Sequence, residues 1–127
     1  MATHSRYPFR REEILSPEQF DITQAKLRLG LTNAEVGAIA GRSPRSAARW
    51  LSAESVLPHQ GESARAIRRL AYMDVLLRDL VGNQGASEWL RTPNPGFRGE
   101  APVDLMTSGR IEAVIDVLEL LADGGPT

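Results

Sequence analysis

Four carboxylates near the end of the chain have a spacing that could support acid–base chemistry. Glu112, Asp116, Glu119 and Asp123 follow one another at intervals of four, three and four residues, so a helix would carry them on one narrow stripe. Paired carboxylates act as general acid and base when a pocket separates their pKa values. Nothing around this stripe suggests a pocket, so we expect a charged surface there and no enzyme.

Other reactive groups are sparse. His4 and His59 stand apart from any nucleophile or set of metal ligands, and no Gly-rich phosphate loop follows a strand. The chain has no Cys, which excludes disulfides and thiol chemistry and fits a reducing compartment. Because it also lacks a secretory signal and any apolar run of roughly 18 residues, we expect a cytoplasmic protein without cofactor, metal or membrane.

A second group of candidate functional residues consists of arginines in the first half of the chain. Arg45 and Arg49 are four residues apart and share one side of a predicted helix, and Arg42 lies in the turn before it. Such arginines contact phosphates or read guanine in the major groove. The predicted DNA-binding residues are Arg42, Ser43, Arg45, Ser46 and Arg49. The alternative is an all-α core unit that does not bind DNA.

Charge is divided unequally along the chain. Residues 1–69 contain 11 Lys and Arg against 7 Asp and Glu, whereas residues 70–127 contain 4 against 9. A basic first half can face phosphates, and an acidic second half cannot easily do so. Ordinary solvated surface charge is the other interpretation.

The segment between Arg91 and Pro102 favours a shaped surface over a reaction centre. Proline fixes its own φ and pushes the preceding Thr92 and Asn94 towards extended geometry, so this long loop should be semi-rigid. Preorganised loops with aromatic and Arg residues favour protein contacts, although a plain helix connector is as common. The candidate contact residues here are Trp89, Arg91, Pro93, Asn94, Pro95 and Phe97.

The last predicted helix has an apolar arc too wide for a surface helix. Apart from the four acids, nearly every residue from Ile111 to Ala122 is apolar, whereas a surface helix normally needs one apolar side. Either a partner covers a second side, or this is a central core helix with one wet edge. The predicted partner contacts on it are Glu112, Asp116, Glu119 and Leu120.

Helices are predicted to hold all of these residues, because no segment alternates at period two for long enough to be a strand. Ser16, Pro17 and Gln19 signal a first helix that ends at Gly30. Two short helices follow, capped by Thr32 with Glu35 and by Ser43 with Pro44. The turn at Gly41 and the small Gly37 give them helix-turn-helix geometry, with Ala47 and Trp50 inward.

The second half is predicted to start with a longer helix over Ser63–Val81. Its apolar stripe comprises Ala66, Leu70, Met73, Leu77 and Leu80, with Arg65, Arg68, Arg69 and Tyr72 off the stripe. Gly82 and Gly85 bracket a predicted turn before a short helix over Ser87–Leu90. A brief helix is predicted from Pro102 to near Gly109, and a last helix from Ile111 to Asp123. The predicted organisation is an arm at 1–15, a helix-turn-helix half at 16–60 and a second half at 61–127.

The stretch from Glu88 to Leu121 resembles the toxin-binding domain of the Xre/MbcA/ParS antitoxins. The shared pattern is WL.TPNP.F.G..P.DL...G.....V...L, which begins at Trp89 and ends at Leu118. The stretch LGLTNAEVGAIAGRSPRSAARWLSAESVLP is similar to the family's Xre-like helix-turn-helix half. The resemblance covers roughly residues 20 to 123.

The resemblance implies an antitoxin that inhibits a RES-domain, NAD-consuming toxin. The second half would bind the toxin near its active-site entrance, and the first half would bind operator DNA. Homodimers and toxin–antitoxin hetero-oligomers are implied as assemblies. The alternatives are a stand-alone transcriptional regulator whose second half only dimerises, and a scaffold with neither ligand.

Overall fold

The structure, a computed structural model, describes residues 21–52 and 61–124. Every regular element within these residues is helical, which confirms the predicted all-α class. The predicted arm at 1–15, the capping signal at Ser16 and the connector at 53–60 lie outside the described residues. The elements are α1 (Ile22–Leu29), α2 (Asn33–Ile39), α3 (Pro44–Trp50), α4 (Gly61–Arg91), a 3-10 turn (Pro95–Phe97), α5 (Pro102–Thr107) and α6 (Ile111–Ala122).

Helix α1 begins later than the sequence predicted. Asp21 has an extended backbone and its carboxylate accepts the Gln24 N–H at 3.1 Å, so Asp21 caps the helix. An unbroken helix from Ser16 to Leu29 is therefore wrong, because a second capping residue interrupts it. The predicted end is confirmed, since Gly30 takes the left-handed conformation at φ 66°.

Helices α2 and α3 begin at the predicted caps and pack on each other, which is consistent with the predicted helix-turn-helix. The Thr32 hydroxyl accepts the Glu35 N–H at 3.1 Å, and the Glu35 carboxylate accepts the Thr32 N–H at 2.8 Å. Ser43 caps α3 by accepting the Ser46 N–H at 3.2 Å. A Cβ on Gly37 would lie 2.7 Å from the Ser43 carbonyl oxygen, so only glycine allows the helices to cross this closely.

Helix α4 is broken once, at Gly82, which confirms the predicted end of its first part at Val81. Gly82 has φ 78° and ψ 174°, and the helix resumes beyond it and continues to Arg91. The predicted turn bracketed by Gly82 and Gly85 is therefore wrong, because Gly85 lies within the resumed helix. The helix starts at Gly61, two residues before the predicted Ser63.

Two sides of α4 are buried, where the sequence predicted one stripe. Leu70, Met73 and Leu77 are buried as predicted, but Tyr72 is also buried, at 7% exposure. Helix α1 packs against α4, and α6 packs against it as well, so the core continues around the helix. Tyr72 therefore belongs to the core although it lies off the predicted stripe.

One hydrophobic core joins the two predicted halves. Buried side chains of α1, α2 and α3 belong to the same cluster as those of α4, α5 and α6. A buried carboxylate reinforces this junction, because Asp74 of α4 is 3% exposed and accepts a hydrogen bond from the Arg28 Nε of α1 at 3.2 Å. The division of the chain near residue 60 stays a prediction of organisation, and the packing crosses it.

Candidate functional site

The arginine face comprises Arg42, Ser43, Arg45, Ser46 and Arg49, the residues that the sequence predicted to bind DNA. Helix α3 presents Arg45 and Arg49 to solvent on one side, while Ala47 is fully buried on the other. Trp50 is half-buried against the core. The structure therefore brings two cations together on one exposed helix surface.

Arg42 differs from the other arginines of this face. Its Nε donates to the Ser63 hydroxyl of α4 at 3.0 Å, and that hydroxyl donates to the Ala40 carbonyl at 3.2 Å. Ser63 is buried, so this contact fastens the turn before α3 to the start of α4. Part of the donor capacity of Arg42 is therefore used within the fold.

The proline loop, residues 91–102, is closed by its own hydrogen bonds. The Asn94 side chain accepts the Gly96 N–H at 2.8 Å, and its carbonyl oxygen accepts the Phe97 and Gly99 N–H groups at 2.9 and 3.0 Å. Asn94 also donates its N–H to the Glu100 carbonyl at 3.1 Å. Asn94 has the extended backbone predicted for a residue before proline. Such a loop presents a fixed shape to a partner.

The aromatic residues of this region pack on each other beneath the loop. Phe97 is buried, and its ring meets Trp89 edge-to-face with centroids 6.2 Å apart. Trp89 is half-buried, whereas Pro93 and Pro95 are exposed. Phe97 thus supports the loop from inside, and the exposed prolines form its outward side.

Arg91 is held by residues of the helix-turn-helix half. Its two terminal nitrogens donate to the two Glu35 oxygens at 2.9 and 2.7 Å, and one of them also donates to the Gly30 carbonyl. The guanidinium lowers the pKa of the Glu35 carboxyl, chiefly through these hydrogen bonds. The structure thus places this predicted partner contact in an intramolecular ion pair.

A second ion pair holds the far end of the proline loop. Arg110, at the turn between α5 and α6, donates to both Glu100 oxygens at 3.0 and 2.9 Å. The same hydrogen bonds lower the pKa of the Glu100 carboxyl. Both ends of the loop are therefore fixed by bidentate arginine–carboxylate pairs, the strongest polar geometry available to these side chains.

The acidic stripe of α6 is divided between internal and external roles. The Glu112 carboxylate lies 2.6 Å from the Arg69 Nε, and Glu119 accepts a hydrogen bond from the Tyr72 hydroxyl at 2.7 Å. Both contacts fasten α6 to α4. Asp116 is exposed, and the Glu112 side chain keeps 45% of its surface exposed beside its contact with Arg69. Of the three predicted partner-facing acids, Asp116 is the most exposed, whereas Glu112 and Glu119 are half-buried.

The outer face of α6, defined by Ala113, Asp116, Val117, Leu120 and Leu121, is mostly apolar and exposed, although Val117 packs partly against the core. Leu120 is 51% exposed and Leu121 is 40% exposed, although both are large hydrophobic residues. The opposite side buries Ile111, Val114, Ile115, Leu118 and Ala122. Of the nine apolar residues in the predicted arc, Ala113, Leu120 and Leu121 are exposed within the described part of the chain.

This arrangement is suited to binding. Among residues 21–52 and 61–124, no group of three or more acidic or His side chains could hold a metal ion. Within the same residues no helix is both long enough and apolar enough to cross a membrane. The carboxylates of α6 face arginine, tyrosine or solvent, so they do not form a dyad.

Sequence reasoning missed several residues of these surfaces. Val117 and Leu121 complete the outer face of α6, and their spacing could have identified them, since Val117 lies three residues before Leu120 and four before Leu121. Glu35 was recognised only as a helix cap, although it also binds Arg91. No local signal announces that second role, because the two residues are 56 positions apart.

Comparison with known proteins supports the resemblance seen in the sequence. The model of the Xre/MbcA/ParS antitoxin C-terminal toxin-binding domain matches residues 76–124, from the middle of α4 through α6. The mycobacterial cidal antitoxin MbcA of Mycobacterium tuberculosis is 37% identical over 97 residues, which cover 76% of this chain and 84% of that protein. The protein of the same name from Mycobacterium bovis is equally similar.

A solved structure shares the fold over most of its length. It is a chain from the crystal structure of the M. tuberculosis MbcT–MbcA toxin–antitoxin complex, with a TM-score of 0.62 and 36% sequence identity. The match covers 83% of the present chain and 95% of that chain. The region matched by the family model includes the proline loop and α6, where the described surfaces are most distinctive. From these similarities and the all-helical architecture, we conclude that the chain belongs to the Xre/MbcA/ParS-type antitoxins.

Proposed function

We propose that this antitoxin binds and inhibits a RES-domain toxin that consumes NAD, and that it represses its own operon by binding DNA. The outer face of α6 is the observation that carries the toxin-binding part. Leu120 and Leu121 are exposed on a helix whose other side is fully packed. Contiguous exposed apolar residues mark interaction sites. The similar MbcA chain was crystallised with its toxin, which supports a partner of this kind.

The outer face offers both affinity and orientation to such a partner. Covering the exposed parts of Leu120 and Leu121 would contribute about 1 kcal/mol for each side chain. Asp116 lies beside them, and a rim carboxylate accelerates association with a basic surface. A toxin that binds NAD must hold a pyrophosphate, for which cationic groups are suited. An acidic, apolar helix placed at that entrance would exclude the substrate.

A pair of substitutions tests the toxin-binding surface. Leu120→Asp with Leu121→Asp should abolish capture of the toxin and rescue of growth, because two buried charges would be left in the interface. The partner is first obtained by co-purifying the tagged wild-type chain with the product of the neighbouring reading frame. Leu27→Asp is the matched control, since Leu27 is 64% exposed on α1. Full rescue by the double variant, with circular dichroism unchanged, would place the inhibitory surface elsewhere.

The charge component is tested separately at Asp116. Asp116→Lys should slow association with the toxin and leave dissociation nearly unchanged, as expected for a rim charge. Glu119→Lys is a poorer test, because it would also remove the hydrogen bond from Tyr72. Kinetics at two salt concentrations identify the electrostatic part, since screening weakens it.

The arginine face supports the DNA-binding part of the proposal. Arg45 and Arg49 project together from α3, the second helix of the helix-turn-helix pair, which is the helix that enters the major groove in such motifs. The same observation favours the alternative of a stand-alone transcriptional regulator. The co-purification experiment separates the two: a regulator whose second half only dimerises would capture its promoter and no toxin.

A further inference from the structure

Arg91 connects the proline loop to the helix-turn-helix half. We propose that Arg91 is a positioning residue for partner binding and not itself a contact: through Glu35 and the Gly30 carbonyl, it holds the loop in the shape that the toxin recognises. This inference deepens the proposed function and rests on it. It differs from the sequence-based prediction, in which Arg91 touches the partner.

The geometry leaves the guanidinium of Arg91 committed to the fold. Both terminal nitrogens donate to Glu35, and one of them also donates to Gly30. Bidentate pairing fixes the orientation of the planar group as well as its position. A group held in this way cannot turn to a partner without breaking two or three hydrogen bonds.

The place of Arg91 in the chain makes it effective as a clamp. It is the last residue of α4, so the next residue begins the proline loop. The other end of the loop is held separately by Glu100 and Arg110. Breaking the pair of Arg91 with Glu35 therefore frees one end of the loop and leaves the other end fixed.

Close packing supports the same junction. Gly30 has φ 66°, and a Cβ there would lie 2.1 Å from the Ser87 Oγ of α4. The end of α1 thus lies directly against the last turns of α4, within reach of Arg91. The clamp requires Glu35, a residue of α2 that also caps its own helix. Partner binding by the second half should accordingly depend on a side chain of the first half.

Glu35→Gln isolates the clamp from the cap. A glutamine oxygen can still accept the Thr32 N–H, since Glu and Gln both serve in capping boxes. The substitution removes the negative charge and replaces the oxygen that accepts from the Arg91 Nη1 with an NH2 group, so the bidentate pair is lost. Arg91→Ala removes the other member of the ion pair, and the double variant completes a double-mutant cycle. Glu62→Gln is the matched control, because Glu62 pairs with Arg65 inside α4 and joins no two elements.

Amide hydrogen exchange measures the position of the loop without any toxin. Glu35→Gln and Arg91→Ala should each speed exchange at Asn94, Gly96 and Gly99 by on the order of threefold to tenfold, as expected for one partly exposed bidentate pair. Amide exchange in the middle of α4 should stay unchanged. A general loss of stability would speed exchange there as well, so this helix serves as the internal control. Unchanged exchange in the loop would overturn the proposal.

Affinity for the co-purified toxin supplies the second measurement. Each single variant should weaken binding by a similar factor, and the double variant should be no weaker than either. If Arg91→Ala weakens toxin binding by the same factor in the Glu35→Gln background as in the wild type, Arg91 touches the toxin directly and the inference is wrong. If the wild type captures no toxin, the proposed function fails, and hydrogen exchange alone decides whether the clamp exists.

Discussion

At the scale of single residues, Gly37 sets how closely helix α2 approaches the turn and the start of helix α3. Gly37→Ala should lower the free energy of unfolding by about 1–3 kcal/mol, because the new methyl group would overlap the Ser43 and Arg42 carbonyl oxygens at 2.7 and 2.9 Å. Backbone atoms cannot move aside as a flexible side chain can. Urea unfolding measures the loss, with the exposed neighbour Ala38→Ser as the control. Equal stability of the two variants would contradict the packing described here.

Glu35 gives the stability of the fold a dependence on pH. Hydrogen bonds from Arg91 lower its pKa in the folded chain, so the unfolded chain binds this proton more readily. The resulting stabilisation is complete above the unfolded pKa of roughly 4.3 and is lost as the pH falls through the folded value. Unfolding free energies between pH 7 and pH 3 should therefore decrease less steeply for Glu35→Gln than for the wild type.

Glu62 provides the comparison for this measurement. Its pKa is lowered by Arg65 in the same direction, but its side chain is fully exposed and the pair lies within one helix turn. Exposed pairs of this kind contribute little to stability. The pH profile of Glu62→Gln should follow the wild type, and a profile as shallow as that of Glu35→Gln would show that Glu35 has no special role.

At the scale of helices, the break in α4 depends on a backbone conformation that is almost confined to glycine. Gly82 has φ 78° and ψ 174°, and no atom lies within 4 Å of a Cβ built there. Gly82→Ala should therefore lower the free energy of unfolding by about 1–3 kcal/mol through backbone strain alone. Thermal or urea unfolding measures it, with the exposed helical position Gln84→Ala as the control. A neutral Gly82→Ala would mean that the two parts of α4 can align without cost.

The exposed arginines of α3 lead to a prediction about DNA binding that is independent of toxin binding. The Arg45→Ala, Arg49→Ala double variant should bind promoter DNA more weakly, and its log–log salt slope should decrease by about 0.9 for each phosphate that the protein no longer neutralises. Fluorescence anisotropy at several salt concentrations measures both effects. Arg65→Ala is the control, because Arg65 pairs with Glu62 on another helix. Unchanged promoter affinity in the double variant would exclude α3 as the DNA-reading helix, and toxin neutralisation should remain intact.

The start and end signals of these helices explain which elements were predictable. The capping box of Thr32 and Glu35 and the Ser43–Pro44 start act within four residues, so the sequence displays them directly. Gly82 and Gly85 look alike in sequence, yet only Gly82 breaks α4. The local sequence treats the two glycines alike, so it could not show which of them takes the non-helical conformation.

At the scale of the whole molecule, the sequence indicated which helix faces are exposed better than it indicated which side chains join one helix to another. The wide arc of α6 contains the two large apolar residues that are exposed on this helix, Leu120 and Leu121. The same reasoning assigned Glu112 and Glu119 to a partner, although the structure joins them to Arg69 and Tyr72. Those pairs join residues 43 and 47 positions apart, and only the folded arrangement of α4 and α6 brings them together.

A homodimer in the absence of toxin stays a prediction. One helix-turn-helix reads a half-site, and such proteins bind paired half-sites as dimers. The stripe of Met73, Leu77 and Leu80 does not supply contact area for a dimer, because Met73 and Leu77 are fully buried and Leu80 packs partly against the core. Val81, Leu120 and Leu121 are exposed hydrophobic residues of the second half that remain available. Light scattering at micromolar concentration should give twice the chain mass of 13.9 kDa, and a strictly monomeric mass would contradict this.

The pairing of Arg91 with Gly30 and Glu35 also has a consequence during synthesis. Arg91 follows these partners by 61 and 56 residues, so a ribosome adding 5–20 residues per second reaches it roughly 3–12 s after the partners. Until then the emerging helix-turn-helix half lacks the surface of α4 that covers α1. In the nascent chain, core residues of the first half such as Leu29 therefore stay exposed until the second half has been synthesised and packs against them.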